Sequence, residues 1–130
     1  MSRYLLDTQV WLWMLGEPGR MRPEVLTLLT DPDNDVLLSA ASGWEIAIKY
    51  RLGKLGLPEP PRSFVPDRMR RTGTTALAVE HDHVLRVADL PDHHRDPFDR
   101  LLVAQSQAVG VPLISADEQL AAYDVVIVPA

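Results

Sequence analysis

The sequence predicts an α/β domain, a three-layer α/β/α sandwich built on a central, mostly parallel sheet. Three observations lead there. Runs such as Tyr4-Leu5-Leu6, Val36-Leu37-Leu38 and Val111-Pro112-Leu113-Ile114 are apolar without alternation, as strands buried on both faces are. Each run is followed by a helical stretch, the order that produces parallel strands with helices packed on both sides. The chain of 130 residues carries no repeat and no low-complexity tail, so it reads as a single domain, 1–130, with enough length to bury a core.

In order, the first strand stops at Asp7, and Thr8 is positioned to cap a helix over Gln9 to Leu15. Gly16, Pro18 and Gly19 break that helix, and Pro23 opens another to Leu29. Asp31 to Asp35 supplies turn chemistry before the strand at Val36. A helix from Ser42 to Leu52 follows, ending in Lys49, Arg51 and then Gly53. After the stiff Pro58, Pro60, Pro61 connector comes a helix over Ser63 to Arg71, then a strand over Thr75 to Val79 and a helix over Asp82 to Ala88. Asp96 caps the next helix, Pro97 takes its first position and Gly110 closes it. The strand ending at Ile114 leads through Ser115-Ala116-Asp117 into a short helix, and Val125 to Val128 is the last strand.

Composition narrows the function. The absence of cysteine excludes disulfides, zinc-thiolate sites and thiol nucleophiles. With no apolar run long enough to cross a bilayer and no signal-peptide pattern, the expected setting is the cytoplasm. A net charge of −5 argues against broad nonspecific attraction to nucleic acid, while leaving room for a local basic patch.

Asp7, Glu45, Asp99 and Asp117 each sit just beyond a strand or in the opening of a helix. In an open parallel sheet those positions share one edge, where ligands bind. Structural duties compete for each acid: Ser42 with Glu45, and Ser115 with Glu118, spell capping boxes, and Asp96 and Asp99 share one first turn. We assign Asp96 to the cap and Asp99 to the site, with Arg100 beside it. Two bare carboxylates ~4 Å apart repel by roughly 4 kcal/mol at an effective dielectric of 20. A group of them therefore needs a cation or protons, and an all-oxygen donor set favours a hard ion, Mg2+ or Mn2+, suited to phosphate chemistry.

At YLLDTQVWLW, LLSAASGWEIAIKYRLGKLGLP and HHRDPFDRLLVAQSQAVGVPLISAD the chain resembles PIN domains, and among them the VapC-type toxins of type II toxin–antitoxin systems. The resemblance spans essentially the whole chain. It implies a Mg2+- or Mn2+-dependent ribonuclease acting on RNA, a homodimer, silenced by a cognate VapB-like antitoxin. It carries the metal-site acids onto Asp7, Glu45 and Asp99, with Asp117 as a less uniform fourth. Asp7 and Asp99 are expected to hold the ion directly, and Glu45 and Asp117 to reach it through water or to take a proton. Around them stand Thr8, Asp96, Arg100 and Ser115; Arg95 and Arg100 flank the site and are placed for phosphate contact, with neutralisation of the acids the alternative for Arg100.

Other residues are less telling. Arg62, Arg68, Arg70 and Arg71 form the densest basic cluster, a candidate RNA contact or simply a solvated helix face. His93 and His94 read as loop residues. Trp11, Trp13 and Trp44 read as core, unless exposure beside Leu12 and Leu15 makes them an apolar groove for an antitoxin segment. Two rivals stand beside the nuclease: a Mg-dependent phosphatase-like enzyme, though Gln9 stands where that chemistry wants a second aspartate, and a non-catalytic α/β binding module whose acids are only caps.

Overall fold

The computed structural model describes residues 2–130. Its sheet holds five strands among the described residues: β1 (Arg3–Leu6), β2 (Asp35–Ser39), β3 (Thr75–Leu77), β4 (Leu113–Ser115) and β5 (Ile127–Pro129). They run in the spatial order β3-β2-β1-β4-β5, and every pairing is parallel. The α-helices are α1 (Thr8–Gly16), α2 (Pro23–Thr30), α3 (Ala40–Arg51), α4 (Pro61–Thr72), α5 (His81–Arg86) and α6 (Pro97–Val109).

Alternate residues of each central strand feed opposite cores. Leu6, Leu38 and Ile114 pack with Val10, Trp11, Val25, Ile46 and Phe64 on one face. Leu5, Leu37 and Leu113 pack with Leu102, Val103, Leu120 and Tyr123 on the other. Because both faces are covered, the strands read as unbroken apolar runs, and the three-layer expectation holds.

Several boundaries move, each for a visible reason. Asp7, rather than Thr8, caps α1: its carboxylate accepts from the Gln9 amide at 2.9 Å, and Thr8 begins the helix. Ser39 caps α3 by accepting from the Ala41 amide, so α3 starts at Ala40 and the Ser42–Glu45 capping box does not form. Beyond β4 it is Asp117 that caps, accepting from the Gln119 amide, and the short helix that follows is of the 3₁₀ type, Glu118–Ala122. Val111 is held by the end of α6, its amide donating to the Ser106 carbonyl at 3.2 Å, so β4 begins only at Leu113. Trp11 is fully buried as expected, whereas Trp44 is 62% exposed on α3.

Strand order places a reversal of direction beside β1, whose neighbours β2 and β4 are reached from opposite sides. At such a point the connections leaving two adjacent strands part and open a crevice beyond their carboxyl ends. A buried glutamine braces the other end of this edge. Gln105 of α6 accepts from the Ser39 hydroxyl and donates to the Ala78 carbonyl, joining the exits of β2 and β3. Replacing Gln105 with leucine leaves the Ala78 carbonyl without that donor and the Ser39 hydroxyl without its acceptor. We expect Gln105→Leu to lower unfolding free energy in urea by about 1–3 kcal/mol; an unshifted midpoint would show that the bridge contributes nothing.

Candidate metal centre

Four chain segments deliver acids to the crevice. Asp7 follows β1 and is only 8% exposed. One of its oxygens caps α1, and the other accepts from the Ser115 hydroxyl at the end of β4 at 2.7 Å. Burial pushes the Asp7 carboxyl above the usual range, against the lowering effect of the Ser115 and Gln9 hydrogen bonds, and the charges of Glu45 and Asp117 add to the rise. Glu45 lies in the body of α3, buried at 6% exposure, where Lys49 one turn later donates to its Oε2 at 2.7 Å. That bond, with help from the charges of Glu45, Asp96 and Asp99, raises the Lys49 ammonium above its ordinary value and outweighs its partial burial.

Asp99 stands one turn inside α6. Asp96 caps that helix, accepting from the Phe98 and Asp99 amides at 2.8 and 3.1 Å, so the cap falls to Asp96 as expected. Burial first, then the neighbouring charges of Asp7 and Asp96, push the Asp99 carboxyl up to about 7, while His94 pulls the other way. Asp117 turns its second oxygen to His94 Nε2 at 2.7 Å. Asp7, Glu45, Lys49, Asp96, Asp99 and Asp117, with Thr8, Leu12 and Trp13, line a cleft of about 450 Å³.

The structure thus brings Asp7, Glu45, Asp99 and Asp117 to one place. Thr8 and Ser115 support it: Thr8 donates its hydroxyl to Ser42 and ties α1 to α3, and Ser115 holds Asp7. Arg100 departs from expectation. Its guanidinium turns to the carbonyls of Val87, Leu90 and Pro91 and to the Tyr123 hydroxyl, so it builds a loop instead of facing a phosphate. The basic cluster of α4 is largely paired within itself, with Arg68 on Glu59 and Asp67, and Arg70 and Arg71 on Asp67. Two participants escaped the sequence reading. Lys49 was visible as the residue four after Glu45 on one helix face. His94 was not, because it reaches Asp117 across 23 positions from an irregular loop.

Donor chemistry tests whether an ion suits the cleft. One ligand atom each from His94, Asp99 and Asp117 lies within 4.8 Å of the others, and two carboxyls of the cleft resist ionisation in the metal-free protein. Negative charge is in excess there and oxygen donors dominate, so the residues fit a hard divalent cation.

Residues 4–126 match the pattern of the PIN domain. The chain belongs to the PIN domain family. One relative of this PIN domain is Ribonuclease VapC16 of Mycobacterium tuberculosis (strain ATCC 25618 / H37Rv), 62% identical over 60 residues. That stretch is 46% of this chain and spans less than half of the relative's length, 43%. Among solved structures, VapBC2 from Rickettsia felis bound to a promoter DNA fragment superposes with a TM-score of 0.74 at 14% identity, covering 98% of both chains. VapBC-5 from Mycobacterium tuberculosis, a member of the VapBC family of toxin–antitoxin systems, superposes at 0.59 with 20% identity over 100% of both. These likenesses establish the fold of the PIN domain.

A carboxyl raised on folding stabilises the protein where it is protonated. Below about pH 4 Asp99 is neutral whether the chain is folded or not, and its burial then carries no charge penalty. As pH rises through the folded value of about 7, the unfolded chain ionises more readily, and stability falls. The metal-free protein is therefore expected to melt lower at about pH 8 than at about pH 5, with Asp99→Asn flattening the difference and Mg2+ restoring more at the higher pH. Scanning fluorimetry checks this; equal pH dependence in wild type and Asp99→Asn would remove Asp99 as the cause.

Proposed function

We propose that this PIN domain is a divalent-metal-dependent endoribonuclease and the toxin of a toxin–antitoxin pair. The observation that carries the reading is the convergence of Asp7, Glu45, Asp99 and Asp117 on one crevice, with Asp99 pushed up to about 7 by burial and by its neighbours' charge. The family match and the relative named as a ribonuclease support the same chemistry.

Asp7 and Asp99 would hold Mg2+ or Mn2+, with Glu45 and Asp117 at its margin. When bound, such an ion orients a water for in-line attack and offsets charge growing on the phosphoryl oxygens. The protein's own groups do the rest. Ser115 and the Gln9 amide fix Asp7 in orientation, and Asp96 sets Asp99 by fastening the first turn of α6. Lys49 supplies a cation beside Glu45 that can meet an RNA phosphate entering the cleft. The setting is the cytoplasm.

Partners follow from two surfaces. A groove of about 440 Å³ formed by Leu12, Trp13, Leu15, Leu55, Leu57 and Phe64 shares Leu12, Trp13 and Leu55 with the acidic cleft. An amphipathic segment of a VapB-like antitoxin laid there would seat apolar side chains in the groove and end over the carboxylates. That the neighbours superposed above are VapBC complexes supports such a partner. Trp44, 62% exposed, meets Phe98 of α6 edge to face at 5.2 Å, and this aromatic pair is the face we assign to a homodimer.

Purified protein incubated with total RNA should yield discrete fragments with Mg2+ or Mn2+ and none with EDTA. Asp7→Asn should slow cleavage by about 10²–10³-fold, the scale of losing one transition-state contact. Cleavage that survives EDTA, or full activity in Asp7→Asn, rejects the reading. Sedimentation velocity tests the dimer: wild type should sediment as a dimer and Trp44→Asp as a monomer, and an unaltered assembly in the variant discards that face.

A further inference from the structure

The segment between Leu90 and Asp96 has no regular secondary structure, yet it is held at many points. Arg100, with a side chain only 14% exposed, donates to the carbonyls of Val87, Leu90 and Pro91 at 3.2, 3.3 and 2.9 Å, and to that of His94 at 3.5 Å. The buried Tyr123 receives the His94 amide at 2.9 Å, lies 3.1 Å from Arg100, and carries His93 edge-on against its ring. Two of these contacts, to Tyr123 and to Arg100, hold the backbone of His94 itself, whose ring enters the acid cluster.

The ring's hydrogen bonds define its protonation pattern. Nδ1 lies 3.0 Å from the backbone nitrogen of Asp96, and an amide N–H can only donate, so Nδ1 offers a lone pair. In the neutral ring the hydrogen then sits on Nε2. Nε2 faces two acceptors, Asp117 Oδ2 at 2.7 Å and Asp99 Oδ2 at 3.5 Å, which suits an N–H and not a lone pair. Histidines that ligate a metal have the opposite arrangement, with the far nitrogen protonated and donating to an oxygen. Here the far nitrogen receives a hydrogen bond.

We propose that His94 is a positioning residue of this centre, fixed as the Nε2–H tautomer, which clamps Asp117 from beside Asp99 and does not serve the ion as a nitrogen ligand. Asp117 then has both oxygens engaged, one by the Gln119 amide and one by His94, so its carboxylate plane is set before any ion arrives. The clamp also joins the N-terminal end of α6 to the turn after β4, two of the segments that deliver acids. Ligation is left to oxygen, and ions that favour imidazole gain nothing from the ring. The inference rests on the metal-nuclease reading only where it concerns the ion.

Two measurements decide it. In uniformly 15N-labelled, metal-free protein, two-bond 1H–15N spectra should show His94 with a protonated Nε2 and an unprotonated Nδ1, assigned by the loss of that pattern in His94→Gln. An Nδ1–H tautomer overturns the proposal, whether or not the protein cleaves RNA. On loading with Mn2+, pulsed EPR should show no directly bound nitrogen, and calorimetry should show His94→Ala binding Mn2+ about 10-fold more weakly. His94→Gln, which places an amide N–H near the position of Nε2, should recover most of that loss. A bound-nitrogen coupling that disappears in His94→Ala makes the residue a ligand, and wild-type Mn2+ affinity in His94→Ala removes the clamp; either result refutes the proposal. Should wild type bind no Mn2+ at all, it is the nuclease reading that fails, and the tautomer spectrum still judges His94.

Discussion

Charge crowding at one sheet edge governs the arrangement of the whole domain. Parallel topology brings the strand exits together, and this sequence loads those exits with carboxylates that repel one another. Each carboxylate is made tolerable locally. Asp7 has the Ser115 hydroxyl and the Gln9 amide, Glu45 has Lys49, and Asp117 has His94 and the Gln119 amide. Asp99, partly buried and beside the charges of Asp7 and Asp96, is the one whose carboxyl is pushed up to about 7.

The donors that calm these acids are, to a large extent, helix beginnings. Asp7 caps α1, Asp96 caps α6 and Asp117 caps the 3₁₀ turn that follows β4. Two of these caps, Asp7 and Asp117, also line the acidic cleft, so capping and the proposed ion binding draw on the same side chains. An alanine at Asp7 would remove a cap, worth about 1 kcal/mol, together with the carboxylate proposed to hold the ion, whereas asparagine keeps a capping oxygen and gives up only the charge.

Much of this was legible in the sequence because periodicity and end signals act locally. Unalternating apolar runs gave away strands covered on both sides, and Asp96, Pro97 and Gly110 marked α6 as it stands in the structure. The four acids were found by their places relative to those elements. What escaped depends on contacts that no local pattern encodes. Thr8 looked like the cap of α1 because hydroxyls and carboxylates compete for that role on nearly equal terms, and only the depth of burial of Asp7 and its bond to Ser115 decide the matter. Arg100 beside Asp99 looked like a phosphate contact, yet its side chain leaves the cleft for a carbonyl-lined loop. His94 sits in that same loop, and its partner Asp117 follows β4, 23 positions on.

The bond between Ser115 and Asp7 links residues 108 positions apart. Such a contact closes late, since β1 gains its β4 neighbour only once nearly the entire domain is available. During synthesis at about 5–20 residues per second, that interval lasts ~5–20 s, with one edge of β1 unpaired. A growing chain therefore has no assembled centre, and any hydrolytic capacity emerges all at once, with the arrival of the last strands.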